Sequence, residues 1–256
     1  MWGATPIDQM LCRIAFKGRR YGGQYTPGST GGAIHHPGSV GVLDWGSVAV
    51  DPGRSIAIVN ASYMPYADKL VPRAKANAEG IVPANTPPKP TNTPYVPPNA
   101  HAWTSAQAGT PFAVETAPFL SPLGFPCHQP PWGVIAAIDL KTRQILWKQP
   151  FGTSRGHAPL NLALPVGIFN QGGAVTTAGG VTFTGAAVDG YLRAYDTSTG
   201  RELWKAALPH GGQANPMSYI SRKTGRQYVV IAAGGHAELA TGGGDAVIAF
   251  ALPTKR

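Results

Sequence analysis

The sequence has few charged residues and no long apolar run, and these shortages limit the possible classes of protein. Only 13% of its 256 residues are charged, while 43% are hydrophobic, so the chain can bury a sizeable core. No apolar run approaches the ~20 residues that a membrane-spanning helix needs. The first residues also lack the charged and apolar regions of a signal peptide.

Cysteine is equally scarce, which argues against a zinc site or a C-x-x-C redox motif. Cys12 and Cys127 are the two cysteines, and neither has a C-x-x-C partner or a His at zinc-binding spacing. They are either two separate buried thiols or one disulfide formed in an oxidising compartment. The sequence leaves both alternatives open.

Several nucleotide-binding and metalloprotease motifs are also missing. The sequence contains no G-x-x-x-x-G-K-[ST], no strand-linked G-x-G-x-x-G and no H-E-x-x-H. The net charge is +9, but the basic residues are thinly spread apart from Arg13, Lys17, Arg19 and Arg20. We therefore expect no nucleic-acid partner, and the basic cluster predicts a solvated face or a face beside an anionic membrane.

What the chain does contain is a repeated hairpin motif. Residues 187–204, AVDGYLRAYDTSTGRELW, alternate apolar and polar side chains as a half-buried strand does, and then turn through Asp196–Gly200. Residues 137–147, AIDLKTRQILW, repeat the pattern A-x-D-x-x-T-x-x-x-x-W. We interpret the repeated Asp and Thr as residues that bond the turn, and Trp147 and Trp204 as packing between neighbouring repeats.

The rest of the chain predicts further short strands and few helices. A hairpin is expected from Ser47–Val50 and Ser55–Asn60, and regular strands return after residue 133. Residues 1–38 are interpreted as irregular, with a short strand at Arg13–Phe16, and no helix longer than about two turns is expected in the chain. The proline-rich residues 72–118 are interpreted as a long loop within the domain. Short strands in units of ~50 residues predict an all-β fold, a β-propeller or a related radial array.

Four segments, together with the repeated motif, resemble a known enzyme family. The segments are MWGATPIDQMLCRIAF, LDWGSVAVDP, FLSPLGFPCHQPPWGVIAAIDLKT and QYVVIAAGGHAEL. They resemble the C-terminal portion of the membrane-bound, PQQ-dependent glucose, quinate, shikimate and polyol dehydrogenases, whose propellers have eight blades joined by tryptophan-docking motifs. The resemblance implies that residues 1–256 form one partial propeller domain, about half of an incomplete ring.

The resemblance also implies a reaction. In this family an aspartate takes the proton of the substrate hydroxyl while hydride passes to pyrroloquinoline quinone (PQQ), and Ca²⁺ or Mg²⁺ acts as a Lewis acid. Ubiquinone receives the electrons at the periplasmic side of the bacterial inner membrane. The catalytic aspartate of the family lies upstream of the matched stretch, so no catalytic residue and no metal ligand are assigned to this chain.

Part of the cofactor pocket can be carried over to this sequence. Asn60 matches an asparagine that faces the quinone, although an Asn here could simply cap the end of its strand. Asp44 and Trp45 match an acidic-Trp-Gly triplet near the cofactor, where the family often has Glu, and Asp44 could instead bond its own turn. Gly235 and His236 match the final pocket loop, although a lone His in a loop is more often solvated or hydrogen-bonded.

Two other functions compete with the enzyme. One is a non-catalytic β-propeller scaffold, similar to the outer-membrane assembly lipoproteins, and the other is a non-functional product of a truncated reading frame. Asn60 and the Gly234–His236 loop favour the enzyme family, because a scaffold needs no such pocket. The isolated chain is expected to be inactive.

Overall fold

The chain folds mainly into antiparallel β-sheets. The computed structural model describes residues 1–38, 41–46, 48–83, 103–236 and 239–252. The helices there are α1 (Pro6–Lys17) and α2 (Arg73–Ala78), with a 3-10 turn at Pro159–Asn161. Among the described residues, no helix combines the length and the apolar character that crossing a membrane requires.

The strands follow in chain order: β1 (Ala33–His35), β2 (Ala49–Asp51), β3 (Ile56–Ser62), β4 (Tyr66–Pro72), β5 (Trp103–Ser105), β6 (Phe112–Pro118), β7 (Gly133–Asp139), β8 (Ile145–Pro150), β9 (Ala174–Thr176), β10 (Val181–Thr184), β11 (Tyr191–Asp196), β12 (Glu202–Ala207), β13 (Met217–Ile220), β14 (Gln227–Gly235) and β15 (Gly243–Ala251). They confirm the prediction of an all-β fold.

The chain divides into two compact units. Unit 1 comprises Met1–Ser39 and Met64–Gln129, and unit 2 comprises Val40–Tyr63 and Pro130–Arg256. Unit 1 holds one four-stranded sheet in the order β1-β4-β6-β5. Unit 2 holds two four-stranded sheets, β2-β3-β7-β8 and β12-β11-β10-β9, and a three-stranded sheet, β13-β14-β15.

The structure differs from the sequence interpretation at both described ends of residues 72–118. Helix α2 follows β4 directly, and β6 pairs along the whole of β4, from Tyr66 opposite Pro118 to Pro72 opposite Phe112. Strand β5 then pairs with β6. The backbone of this segment completes a sheet, which the proline content obscured; residues 84–102 lie outside the described part of the chain.

Helix α1 corrects the prediction of a short strand at Arg13–Phe16 within an irregular region. The helix has twelve residues and begins after Thr5, whose hydroxyl oxygen accepts a hydrogen bond from the Asp8 backbone N–H at 3.1 Å. Pro6 occupies the first turn, where its missing N–H has no intrahelical partner to lose. A polar N-cap followed by proline is a typical helix start.

A disulfide fastens α1 to the rest of unit 1. Cys12 and Cys127, left open by the sequence, form this bond across 115 residues of chain. Both are fully buried and pack with Ile34 and Phe119 in one apolar cluster. The inner side of α1 is therefore held against β1 and the chain that follows β6.

The repeated hairpins of unit 2 turn as their sequence predicts. Asp139 Oδ1 accepts the backbone N–H groups of Lys141 and Thr142 at 2.7 and 3.0 Å. Asp196 Oδ1 accepts those of Ser198 and Thr199 at 3.0 and 2.9 Å. These amide hydrogen bonds stabilise the carboxylates and lower the pKa of both aspartates. Their structural role is confirmed.

The motif tryptophans connect neighbouring sheets of unit 2. Trp147 on β8 donates its indole N–H to the carbonyl oxygen of Thr197 at 3.0 Å, in the turn between β11 and β12. Trp204 on β12 packs edge-on against Phe250 of β15, with ring centroids 5.0 Å apart. Each tryptophan thus contacts the next sheet along the chain, as the sequence analysis predicts.

Candidate functional site

The five predicted site residues all lie in unit 2, where two short segments bring them together. The first segment is residues 170–172. It begins at Asn170, which forms an isolated β-bridge with Ala187. The second contains Gln213, in the connection between β12 and β13. Neither segment carries a motif recognised in the sequence.

Asn60 is buried in β3 and bonded to the first segment. Its side-chain NH₂ group donates to Asn170 Oδ1 at 2.7 Å and to the Gly172 carbonyl oxygen at 3.1 Å. Both amide hydrogen atoms of Asn60 are therefore directed to protein acceptors in this structure, whereas the family resemblance implies that Asn60 faces the quinone. A quinone contact of Asn60 stays a prediction, and it would require its side-chain oxygen or a rearranged amide.

Asn170 is a buried residue that the sequence analysis missed. Its side-chain NH₂ group donates to the carbonyl oxygens of Ala61 and Ile168 at 3.1 and 3.2 Å. Its backbone N–H and C=O both bond the Ser62 hydroxyl at 2.9 Å. Asn170 thus fixes the segment against the end of β3; the polar-glycine run Asn-Gln-Gly-Gly was its one local signal.

Asp44 combines the two alternatives considered from the sequence. One carboxylate oxygen accepts the Trp45 backbone N–H at 2.8 Å, which stabilises its own turn. The other accepts the Gln171 side-chain N–H at 2.6 Å, so Asp44 is also tied to the segment that bonds Asn60. Gly46, two residues after Asp44, contacts the backbone of Gly172. A Cβ atom added to Gly46 would lie 1.7 Å from the carbonyl carbon of Gly172. Only glycine allows this approach.

Trp45 and His236 form an aromatic stack. Their ring centroids are 5.6 Å apart and the rings are inclined by 17°. The Trp45 indole N–H donates to the Gln213 carbonyl oxygen at 3.1 Å, yet 52% of Trp45 is exposed. Part of a large aromatic side chain, held in place by a hydrogen bond, is therefore open to a ligand.

The loop after β14 orients His236. Gly235 has a φ of 71°, and its N–H donates to the Gly211 carbonyl oxygen at 2.9 Å. The His236 N–H donates to the Thr241 hydroxyl at 2.9 Å, and this hydroxyl donates to Gln213 Oε1 at 3.0 Å. This directional chain of hydrogen bonds directs the side-chain carbonyl of Gln213 toward Thr241, leaving the Gln213 NH₂ group on its other side.

Among the residues that the structure describes, two buried nitrogen atoms of this cluster have no hydrogen-bond partner. They are Gln213 Nε2 and His236 Nδ1. Leaving such a group unsatisfied costs about 1–3 kcal/mol, so a polar ligand or water that bonds them would be favoured. Both atoms are buried in this structure, so a ligand oxygen would reach them only after a side-chain movement. The half-exposed Trp45 ring is the surface on which a flat molecule could stack.

A metal centre is not built into the described residues. No group of three or more His, Cys, Asp or Glu side chains could hold a metal ion there. The cluster offers amide, imidazole and indole groups, with Asp44 as its carboxylate. It is suited to stacking and hydrogen bonding of an organic ring.

Comparison with known proteins decides the family. Residues 1–229 match the family model described as "PQQ: Glucose/ethanol/alcohol dehydrogenase, beta-propeller domain". The chain belongs to this family of PQQ-dependent dehydrogenases. The match confirms the β-propeller prediction and the family resemblance, and it identifies the sheets joined by Trp147 and Trp204 as propeller blades.

Individual relatives of the PQQ dehydrogenase family match nearly the whole chain. Quinoprotein glucose dehydrogenase A of Acinetobacter calcoaceticus is 42% identical over 100% of this chain and 30% of its own length. A probable quinate dehydrogenase of Xanthomonas campestris pv. juglandis is 44% identical over 99% of this chain and 31% of its own length. The glycerol dehydrogenase large subunit of Gluconobacter oxydans is 44% identical over 99% and 34%. The chain therefore spans about a third of the length of these relatives.

Proposed function

We propose that this chain is part of a PQQ-dependent oxidoreductase that oxidises the CH–OH group of a sugar, a polyol or a quinate-like substrate. Ubiquinone would accept the electrons, at the periplasmic face of a bacterial inner membrane. The observation that carries the proposal is the cluster around Trp45 and His236, in a chain of the PQQ dehydrogenase family. The relatives named for glucose, quinate and glycerol support this substrate class.

The residues of the cluster would bind and orient the cofactor. PQQ, when bound, supplies the two-electron acceptor of the reaction. Trp45 would contact one face of its ring system. His236 Nδ1 and Gln213 Nε2, which are buried in this structure, would bond its oxygens once their side chains turn toward the ring. Asn60, Asp44 and Gly235 would hold the surrounding backbone through the contacts described above. The proposal also includes Ca²⁺ or Mg²⁺ as a Lewis acid and an aspartate as the catalytic base. We assign neither the metal ligands nor this aspartate to the present chain.

The test is PQQ binding by the 256-residue chain, measured by isothermal titration calorimetry. We expect saturable binding that Trp45→Ala and His236→Ala each weaken by roughly tenfold, because a stacked aromatic contact or one satisfied buried donor contributes about 1–1.5 kcal/mol. Tyr219→Ala is the matched control, since Tyr219 is 44% exposed on β13 and lies outside the cluster.

A chimera adds a catalytic readout. This chain replaces the matching part of the Acinetobacter glucose dehydrogenase, and PQQ-dependent dye reduction is measured with glucose, quinate and glycerol. We expect turnover that the two cluster variants lower and the control does not. No PQQ binding by the chain and an inactive, folded chimera would instead favour the non-catalytic scaffold.

A further inference from the structure

Two buried amide side chains of unit 2 fix each other's orientation. Asn60 and Asn170 are 5% and 2% exposed, and Asn60 Nδ2 lies 2.7 Å from Asn170 Oδ1. The other acceptors that the two amides bond are backbone carbonyl oxygens, which cannot donate. They are the oxygen of Gly172, beside Asn60 Nδ2, and those of Ala61 and Ile168, beside Asn170 Nδ2. The nitrogen atom of each amide must therefore face these carbonyl groups.

Every other orientation of the two amides breaks this network. If the amide of Asn170 turned over, its oxygen would face two carbonyl oxygens and its NH₂ group would face that of Asn60. If the amide of Asn60 turned over, its oxygen would face the Gly172 carbonyl oxygen and Asn170 Oδ1. Either change leaves several buried polar groups without a complementary partner, which is costly in a protein interior. Asn170 is therefore a positioning residue for the amide of Asn60.

This orientation decides what the Asn60 side chain can still bond. Its NH₂ group has two hydrogen atoms, and both are donated to protein acceptors. Within the described ranges of the chain, no group donates a hydrogen bond to Asn60 Oδ1. In this arrangement, the Asn60 side chain can meet a ligand only as a hydrogen-bond acceptor.

The amide of Asn60 is connected to the cluster around Trp45. Gly172, whose carbonyl oxygen accepts the hydrogen bond from Asn60, follows Gln171 in the chain. The Gln171 side chain donates to Asp44, the residue before Trp45. The segment that orients Asn60 is therefore the segment that also holds the loop of the Trp45 ring.

We infer that Asn60 Oδ1 accepts a hydrogen bond from a ligand hydroxyl group and that Asn170 imposes this preference. The inference rests on the proposed function, whose reaction offers two such hydroxyls. The CH–OH group of the substrate is one of them. It loses two electrons and two protons, and the quinone that gains them carries hydroxyl groups in place of its carbonyl groups. An oxidised quinone carbonyl, which only accepts, would face Asn60 Oδ1 without a hydrogen bond. Asn60 therefore favours the reduced cofactor or the alcohol over the oxidised quinone.

A first test of this inference needs no cofactor. In the 256-residue chain labelled with ¹⁵N-asparagine, the NH₂ group of Asn60 should exchange with D₂O on the order of tenfold more slowly than that of Asn77, which is exposed. Asn170→Leu removes one of its two acceptors and should speed the exchange. Thr184→Val is the matched control. It removes a buried hydrogen bond to Gly173, the next residue of the same segment, and should leave the exchange slow. Equal exchange of Asn60 and Asn77 in the original chain would overturn the inference.

A second test compares the two forms of the cofactor. Calorimetry under argon measures the dissociation constants of the chain for PQQ and for chemically reduced PQQ. We expect tighter binding of the reduced form, and Asn60→Leu and Asn170→Leu should each lower the ratio of the two constants by roughly tenfold, the effect of one hydrogen bond. Thr184→Val should leave this ratio unchanged, because a purely structural change weakens the binding of both forms equally.

The remaining outcomes separate the two hydroxyl sources. If Asn60→Leu leaves the ratio unchanged but raises the KM of the Acinetobacter chimera for glucose about tenfold, the hydroxyl is that of the substrate. An unchanged ratio together with an unchanged KM would overturn the inference. If Asn170→Leu does not fold, the exchange rates of the original chain and the Asn60→Leu binding data still decide it. A chain that binds neither form of PQQ refutes the proposed function instead, and the exchange rates then still show whether Asn170 orients Asn60.

Discussion

His128 lies in an environment of unit 1 that opposes its protonation. Its ring packs on that of His36, with centroids 4.4 Å apart and planes inclined by 42°. Burial and, next, the charge of His36 lower the pKa of His128 from 6.5 to about 4. The folded chain therefore keeps this imidazole neutral at acidities where the unfolded chain protonates it.

This pKa shift predicts an acid-sensitive stability. Between 6.5 and about 4 the unfolded state binds a proton at His128 that the folded state does not, so stability falls as the pH falls through this window. His128→Gln should remove this part of the decline, measured as unfolding midpoints in urea at several pH values. His157→Gln, a change of an exposed histidine in unit 2, should leave the decline unchanged. A decline that persists in His128→Gln would contradict the assignment.

The second motif hairpin, formed by β11 and β12, depends on a glycine that serves two purposes. Gly200 has a φ of 74°, in the left-handed region that glycine adopts without strain. It also lies under the ring of Trp147, so that an added Cβ atom would be 2.6 Å from the indole. Gln149 donates a further hydrogen bond to the Gly200 carbonyl oxygen at 2.7 Å. Gly200 therefore both forms the turn between β11 and β12 and provides the surface on which Trp147 packs.

A pair of glycine substitutions separates these purposes. Gly225→Ala, at a φ of 66° with no atom of the described residues within 4 Å of the added Cβ, should cost about 1 kcal/mol of unfolding free energy from backbone strain alone. Gly200→Ala should cost about 3 kcal/mol, because it must also displace Trp147. Denaturant unfolding followed by tryptophan fluorescence measures both. Equal losses of unfolding free energy in the two variants would show that the packing of Trp147 on Gly200 does not contribute to stability.

At the scale of the whole molecule, unit 2 exposes many apolar strand residues. Ile145 and Leu146 on β8, Leu203 on β12 and Val247 on β15 are 61%, 45%, 44% and 71% exposed. In the relatives, which are about three times as long, further chain is available to cover such faces. The exposed faces are consistent with a partial propeller and with a tendency to aggregate.

The 256-residue chain alone should therefore show no dehydrogenase turnover. We expect no reduction of an electron-accepting dye when it is mixed with PQQ, Ca²⁺ and glucose, quinate or glycerol, because we assign no catalytic aspartate to this chain and the Trp45 ring of the proposed cofactor site is half exposed. The chimera with the Acinetobacter enzyme, assayed in parallel, verifies the reagents. Turnover by the isolated chain would refute this expectation.

The hairpins of unit 2 were predictable because their determinants are local. Asp139 and Asp196 bond amides two and three residues away, and the alternation of side chains specifies which face of each strand is buried. Helix α1 escaped prediction because its apolar residues lie on two sides, inward at Cys12 and Phe16 and outward at Ile7 and Ile14. The polar side, which includes Arg13 and Lys17, is therefore narrow, and the helical period is hard to see in the sequence.

The sequence by itself determined the strands and turns of unit 2, the docking tryptophans and the family, because each depends on short stretches of residue pattern. The tertiary structure alone decided which distant groups meet. Asn60 bonds Asn170 across 110 positions, Trp45 bonds Gln213 across 168, and Cys12 joins Cys127 across 115. No local preference encodes such contacts, since they form only when the packing of whole sheets brings remote backbone and side chains within hydrogen-bonding or bonding distance.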